Sequence, residues 1–242
     1  MTQRISLITG ANKGIGLETA RQLAQAGHHV IVTARQLDSA QQAVAALKSE
    51  GLDAEALELD VASSASIAAA VVDVTQHHGR LDVLVNNAGI MRDAPDKTPS
   101  QQTIAAWRET FATNLFGAVE ATDAFLPLLR KSDAGRIVNV SSLLGSMATH
   151  INPDSPFYHV KIPAYNISKT ALNAWTVHLA YELRDTPIKV NAANPGFVKT
   201  ALHGMDAPMT PSQGAVTSVR LATLPADGPT GSFFHEGAVL PW

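Results

Sequence analysis

The stretch "SPFYHVKIPAYNISKTALNAW" (155–175) carries two tyrosine–lysine pairs, Tyr158 with Lys161 and Tyr165 with Lys169. A phenol ordinarily holds its proton to a pH near ~10, and a neighbouring ammonium favours the ionised form. Such a pair can protonate the alkoxide left when a hydride reaches a carbonyl carbon, or run the reverse reaction. Only one pair has the spacing for that chemistry. Tyr165 and Lys169 are four residues apart in a helical run, so they lie on one face a turn apart. Tyr158 and Lys161 fall between Pro156 and Pro163, in a loop that enforces no such geometry. Tyr165 is the expected acid, and Tyr158 a loop or substrate-wall residue.

The elements that must position this pair alternate regularly. Short runs rich in Val, Ile and Leu at 4–9, 29–34, 54–59, 81–86, 136–140 and 188–193 read as strands. Helical patterns fill 15–26, 38–50, 64–78, 103–132, 165–184 and 211–224, several of them closed by a glycine such as Gly27, Gly51 or Gly79. This alternation predicts an α/β fold: a single-domain, Rossmann-type, doubly wound parallel sheet with helices on both faces. No repeat, charge block or linker interrupts it over 1–242. Ligands of such a sheet sit at the C-terminal ends of the strands.

The first strand runs into "TGANKGIGLETA" (9–20), where Gly10, Gly14 and Gly16 stand between strand and helix. A turn of this kind lets the backbone approach a diphosphate, and the following helix offers free N–H groups and its positive dipole end. The second strand ends "VIVTARQLD", with Ala34 and Arg35 where an NAD-selective site usually offers a carboxylate to the adenosine ribose. Arg35 can instead grip a 2′-phosphate, with Lys13 as a second positive charge. Asp38 is the nearby acid and is expected as a helix N-cap. The cofactor expected is NADPH/NADP+.

Further motifs follow in order: "LDV" at 59–61, "NNAG" at 86–89, "NLFG" at 114–117, "VSS" at 140–142, "YNISK" at 165–169 and "NPGFVKT" at 194–200. Together they resemble the short-chain dehydrogenase/reductase family over nearly the whole chain. The glycine turn, the ending "LPADGPTGSFFHEGAVLPW" and an enlarged segment before Tyr165 (about 147–163) are similar to its carbonyl-reductase branch. The resemblance implies four catalytic positions. Tyr165 is the acid. Lys169 supplies fixed positive charge and holds the nicotinamide ribose. Ser142 donates a hydrogen bond to the carbonyl oxygen, and Asn114 positions a water that links Lys169 to solvent. Lys169 and the oxidised nicotinamide would bring the Tyr165 pKa towards neutrality.

The same matching places Gly10, Lys13, Gly14, Ile15 and Gly16 along the diphosphate. It sets Arg35 at the 2′-phosphate, Asp60 and Val61 about the adenine, and Asn87, Ala88 and Gly89 at the riboses. Pro195, Gly196, Val198 and Thr200 fall at the nicotinamide end, with Val198 acting through its backbone. Expected substrate walls are Leu143, Leu144, Met147, Phe157, Tyr158, Phe197 and Met205. They are mostly apolar, which suits a ketone, aldehyde or quinone. The activity implied is NADPH-dependent carbonyl reduction. The alternatives are NADP-dependent alcohol oxidation, imine reduction, or a cofactor-binding sensor, which would have no use for both Tyr165 and Lys169. Family pairing through the helices at 103–132 and 165–184, or masking of that surface by the enlarged segment, leaves monomer or homodimer open.

Composition excludes other classes. A net charge of −3, with 18 Lys and Arg scattered along the chain, argues against a nucleic-acid surface. The chain has no cysteine, which excludes disulfides and Cys-ligated metal centres. The pairs His28–His29 and His77–His78 are read as solvated helix-end turns rather than metal ligands, and no metal is expected. No apolar run reaches membrane-spanning length, and an apolar strand begins within a few residues of Met1. The expected compartment is the cytosol.

Overall fold

A computed structural model describes residues 3–202 and 206–242. The chain runs β1 (Ile5–Ile8), α1 (Gly14–Gln25), β2 (His29–Ala34), α2 (Leu37–Ser49), β3 (Ala54–Glu58), α3 (Ser64–His77), β4 (Val83–Asn86) and α4 (Ile104–Phe111). A π-helical turn (Ala112–Phe116) leads into α5 (Gly117–Leu129), then β5 (Arg136–Val140), α6 (Met147–Ile151), α7 (Pro163–Glu182) and β6 (Lys189–Ala193). Next come α8 (Pro211–Ala222), β7 (Phe233–His235) and β8 (Ala238–Val239). All eight strands form one sheet in the order β3-β2-β1-β4-β5-β6-β7-β8. It is parallel except for β8, which pairs antiparallel with β7. The order reverses between β1 and β4, which opens a crevice at their C-terminal ends.

The central strands are buried and largely apolar because both faces are covered. Alternate residues feed two cores. Leu7, Ile31 and Leu84 pack with Val74, Phe125 and Leu179 under α3, α5 and α7. Ile8, Val32 and Val85 pack with Leu23, Leu47 and Leu221 under α1, α2 and α8. A buried polar seam crosses the first layer: the Asn86 amide donates to Thr122 and Asn139, and the Asn139 amide donates to Thr176. It ties β4 and β5 to the helices that carry the site.

The structure departs from the sequence expectation in four places. The run at 103–132 is two helices joined by the π turn, where the Gly117 N–H reaches back five residues to the Ala112 carbonyl. Asp38 is not an N-cap; Gln36 holds that position, and Asp38 lies in the first turn of α2. There a carboxylate favours the positive end of the helix dipole without a capping bond. The helix expected from 165 begins at Pro163, whose missing N–H costs nothing in a first turn. The strands β7 and β8 are additional. They are too short for a periodic pattern and are joined by a tight turn at Glu236 (φ 46°) and Gly237 (φ 98°).

Candidate active site

The glycine turn follows β1. Gly10 (φ 61°) and Gly14 (φ 59°) adopt the left-handed backbone that only glycine enters freely. Gly16 is glycine for a different reason: a Cβ there would lie 2.4 Å from the Asn87 side-chain nitrogen and 2.8 Å from the Gly10 oxygen. That nitrogen donates to the Thr9 and Gly10 carbonyls at 2.8 and 3.1 Å. The Thr9 hydroxyl accepts from the backbone N–H groups of Asn87 and Ala88 at 2.9 and 3.0 Å. The "NNAG" end of β4 is thus stitched to the turn that ends β1.

Over this junction lies a groove of about 1130 Å³. Gly10, Lys13, Gly14, Ile15, Gly16, Arg35, Asp60, Val61, Asn87, Ala88, Gly89 and Thr200 all line it. No carboxylate stands at the end of β2, where Ala34, Arg35 and Gln36 line the wall. Asn12 of the glycine turn, Ser39 of α2, and Met91 and Arg92 of the loop after β4 also line it and were not anticipated. A narrower pocket of about 60 Å³ adjoins the groove and is lined by Ser141, Tyr165, Lys169, Pro195 and Thr200 among others. Gly196 and Val198 line neither cavity. Val198 is fully buried and packs against Gly214.

Tyr165 and Lys169 face this pocket from α7, each 3% exposed. The Lys169 ammonium donates to the Val140 carbonyl at 2.8 Å and stands 5.8 Å from the centre of the Tyr165 ring. The Tyr165 hydroxyl hydrogen-bonds with Ser142. Burial pushes the phenol up to about 12, opposed by the Ser142 bond, and pushes Lys169 down to about 8. In the protein alone the Tyr165 pKa thus lies above its ordinary value rather than towards neutrality, because desolvation outweighs the Ser142 hydrogen bond.

Asn114 lies buried in the π turn. Its side-chain oxygen accepts from the Ile90 N–H at 2.8 Å, and its nitrogen donates to the Ile90 carbonyl and to the Ser168 hydroxyl at 2.9 and 3.0 Å. Ser142 stands at the end of β5, and Gly145, just beyond, presses on α7. A Cβ at Gly145 would be 2.8 Å from Lys169 Cβ. One contact had no sequence warning. Both oxygens of Asp93, in the loop after β4, accept from the first turn of α7, from Ala164 N–H at 2.8 Å and Tyr165 N–H at 2.9 Å.

Among the described residues, Leu143, Leu144, Phe157, Tyr158 and Phe197 line neither cavity. Leu143 and Leu144 form a short 3-10 turn after Ser142, and Phe197 is 50% exposed beyond β6. The Tyr158 ring instead meets Lys161 at 4.9 Å and the His159 ring edge-on. Met205 lies outside the described residues. Of the four histidines expected as solvated turns, only His77 is well exposed. His28 is buried on the Ser6 hydroxyl, and His29 and His78 face one another across the sheet edge.

A doubly wound sheet with a nucleotide-sized groove leading to a buried Tyr–Lys pair beside a serine is the architecture of a dinucleotide-dependent oxidoreductase. Residues 4–210 match the short chain dehydrogenase family. Carbonyl reductase (NADPH) 1 of Rattus norvegicus is 33% identical over 98% of this chain and 98% of its own. A (+)-neomenthol dehydrogenase of Arabidopsis thaliana is 34% identical over the same shares of both chains. The NADPH-bound carbonyl reductase structure from chicken fatty liver superposes with a TM-score of 0.87 at 29% identity, covering all of both chains. The chain belongs to the short-chain dehydrogenase family and is an oxidoreductase of the CH–OH/C=O class. None of its described helices is long and apolar enough to cross a membrane.

Proposed function

We propose that this protein is an NADPH-dependent carbonyl reductase acting on a ketone, aldehyde or quinone with an apolar body. The observation that carries the reading is the buried Tyr165–Lys169 pair, with the half-buried Ser142 hydrogen-bonded to Tyr165, at the foot of a groove whose wall offers Lys13 and Arg35 and, at the end of β2, no acid. The residues present fit a phosphorylated dinucleotide. Gly10, Gly14 and Gly16 bring backbone and the α1 N-terminus to the groove, and the exposed Lys13 and Arg35 on its wall offer two positive charges to a 2′-phosphate. NADPH use by similar reductases agrees with this fit.

When bound, a reduced nicotinamide supplies the hydride. Ser142 holds the substrate oxygen beside Tyr165 Oη by a hydrogen bond that strengthens as negative charge develops there. Tyr165 gives its proton to that oxygen, and a phenol held protonated by burial is ready to do so at neutral pH. An alkoxide is far more basic than a phenolate, so the transfer runs downhill. Lys169, fixed on the Val140 carbonyl, places positive charge beside the phenolate that results. Asn114 keeps the π turn locked to Ile90 behind Lys169.

The test is NADPH consumption against a panel of ketones, aldehydes and quinones, with NADH as control. Tyr165→Phe should lower turnover by about 10²–10⁴-fold. Arg35→Ser should lower kcat/KM for NADPH about 10- to 100-fold, the worth of one charge-assisted hydrogen bond, and leave NADH nearly unchanged. Comparable kcat/KM for the two cofactors in the wild type would refute the NADPH assignment. Turnover of a charged metabolite alone would refute the substrate class.

A further inference from the structure

At the other end of the sheet from the groove, three side chains from three elements converge. His29 opens β2, Glu55 lies in β3, and His78 caps the C-terminus of α3. Register places them together: Ile31 pairs with Glu55, so His29, two residues before Ile31, points to the same face as the carboxylate. One ligand atom from each lies within 4.8 Å of the other two. His78 Nε2 is 2.6 Å from one Glu55 oxygen, and His29 Nε2 is 3.5 Å from the other. On its far side His29 Nδ1 is 2.9 Å from Asp53 Oδ1, and Asp53 in turn takes the Gln3 amide at 2.8 Å.

The donor geometry is the telling feature. The Asp53 carboxylate accepts from His29 Nδ1–H and aims the buried Nε2 at a Glu55 oxygen 3.5 Å away. A protonated His29 makes an ion pair with Glu55 there, and a neutral one offers its Nε2 lone pair to a cation held between the imidazoles and the carboxylate. We propose that His29, Glu55 and His78 form a divalent transition-metal site of the Zn2+ type. Two imidazoles and one carboxylate are a Zn2+ donor set, and a second carboxylate behind one imidazole is the usual device for aiming it. Hard cations such as Mg2+ and Ca2+ prefer all-oxygen sets and are disfavoured here. Tetrahedral Zn2+ with bonds of about 2.0–2.1 Å sets its ligand atoms roughly 3.3 Å apart. The 2.6 and 3.5 Å separations, to the two Glu55 oxygens, bracket that value, and the three ligand atoms lie within 4.8 Å of one another. Glu55, 36% exposed, leaves a way in for the ion and room for a water as fourth ligand. A metal there clamps the β2–β3 edge to the end of α3. It is remote from the reaction groove and independent of the proposed function.

The experiment uses the untagged full chain, stripped with chelator and titrated calorimetrically with Zn2+, with Co2+ as a spectroscopic stand-in. The expected result is one saturable site per chain, a visible tetrahedral Co2+ spectrum, and a Tm that rises with Zn2+ as binding to the native state requires. His78→Gln and Glu55→Gln should each weaken binding about tenfold or more, and His77→Gln should not change it. Circular dichroism and cooperative melting of the variants separate lost ligation from lost fold. No saturable binding, or binding indifferent to His78 and Glu55, overturns the proposal. So does a Tm that Zn2+ leaves unmoved, since the ion pair alone then joins His29 to Glu55.

Discussion

Asp93 should be a positioning residue for Tyr165, acting through the main chain of α7. The first turn of a helix leaves N–H groups without intrahelical partners, and a polar side chain at the N-cap ordinarily takes one. Here the N-cap is Ile162, which cannot accept, and Pro163 follows it. The half-buried Asp93 fills the role from a different segment and takes the next two N–H groups, Tyr165's own among them. Hydrogen bonds to a charged acceptor contribute about 1.5–3 kcal/mol each when buried, and partial exposure brings the pair to about 2–3 kcal/mol together. Asp93→Ala should therefore lower Tm by about 4–12 °C, and Asp93→Asn, which keeps one acceptor, by roughly half of that. A loosened first turn displaces the phenol, and a misplacement near 1 Å costs up to about 100-fold in turnover. The assay pairs thermal melts with steady-state kinetics run well below the variant's Tm. A 10- to 100-fold fall in kcat with little change in KM for NADPH is expected. Lost stability with full kcat would leave Asp93 a plain helix cap, and no change in either would refute the contact itself.

Three further substitutions probe the same frame. Gly16→Ala drives a methyl into the Asn87 amide and should cost about 2–4 kcal/mol, from overpacking and two lost hydrogen bonds, with weaker NADPH binding; a wild-type melt would refute the close approach. Gly145→Ala should push the Ser142 turn away from α7 and lower kcat more than stability, which kinetics and urea unfolding together resolve. Lys169→Met should abolish turnover yet raise stability at pH 7 by on the order of 2 kcal/mol, by removing a charge that burial disfavours. The folded pKa of about 8 lies below the unfolded value of 10.5, so the unfolded chain binds the extra proton between them. Wild-type stability thus rises through that window, and the advantage of Lys169→Met should fade from pH 8 to 10.5; a constant difference would refute the burial argument.

The six long strands and the helices between them were legible because they bury a continuous apolar pattern on both faces, which is a property of residue order. The parts that were not legible depend on contacts between distant segments. The π turn takes its shape where Asn114 locks onto Ile90, and Gly117, the first residue of α5 after it, packs against Val61, where a Cβ would meet the Val61 oxygen at 2.6 Å. The strand β7 exists because Ala192 and Ala193 of β6 offer it an edge, not because three residues of "FFH" prefer extension. His29 and His78 read as ordinary helix-end residues until the register of β2 and β3 sets Glu55 between them.

The site itself divides along a physical line. Its conspicuous residues hold main chain: Asn87 on Thr9 and Gly10, Asn114 on Ile90, Lys169 on Val140, Asp93 on Ala164 and Tyr165. The side chain doing the holding must be of one type at one place, so most such residues leave a motif. The groups held are backbone carbonyls and amides that every residue carries, so their identity leaves no trace in sequence. Asp93 escaped notice because its loop has no fixed spacing from α7, although its role is of the same kind. The walls expected from Leu143 to Phe197 lie outside both cavities for the opposite reason. Apolar side chains near a site show a preference for burial, but nothing in their type says which surface they bury against.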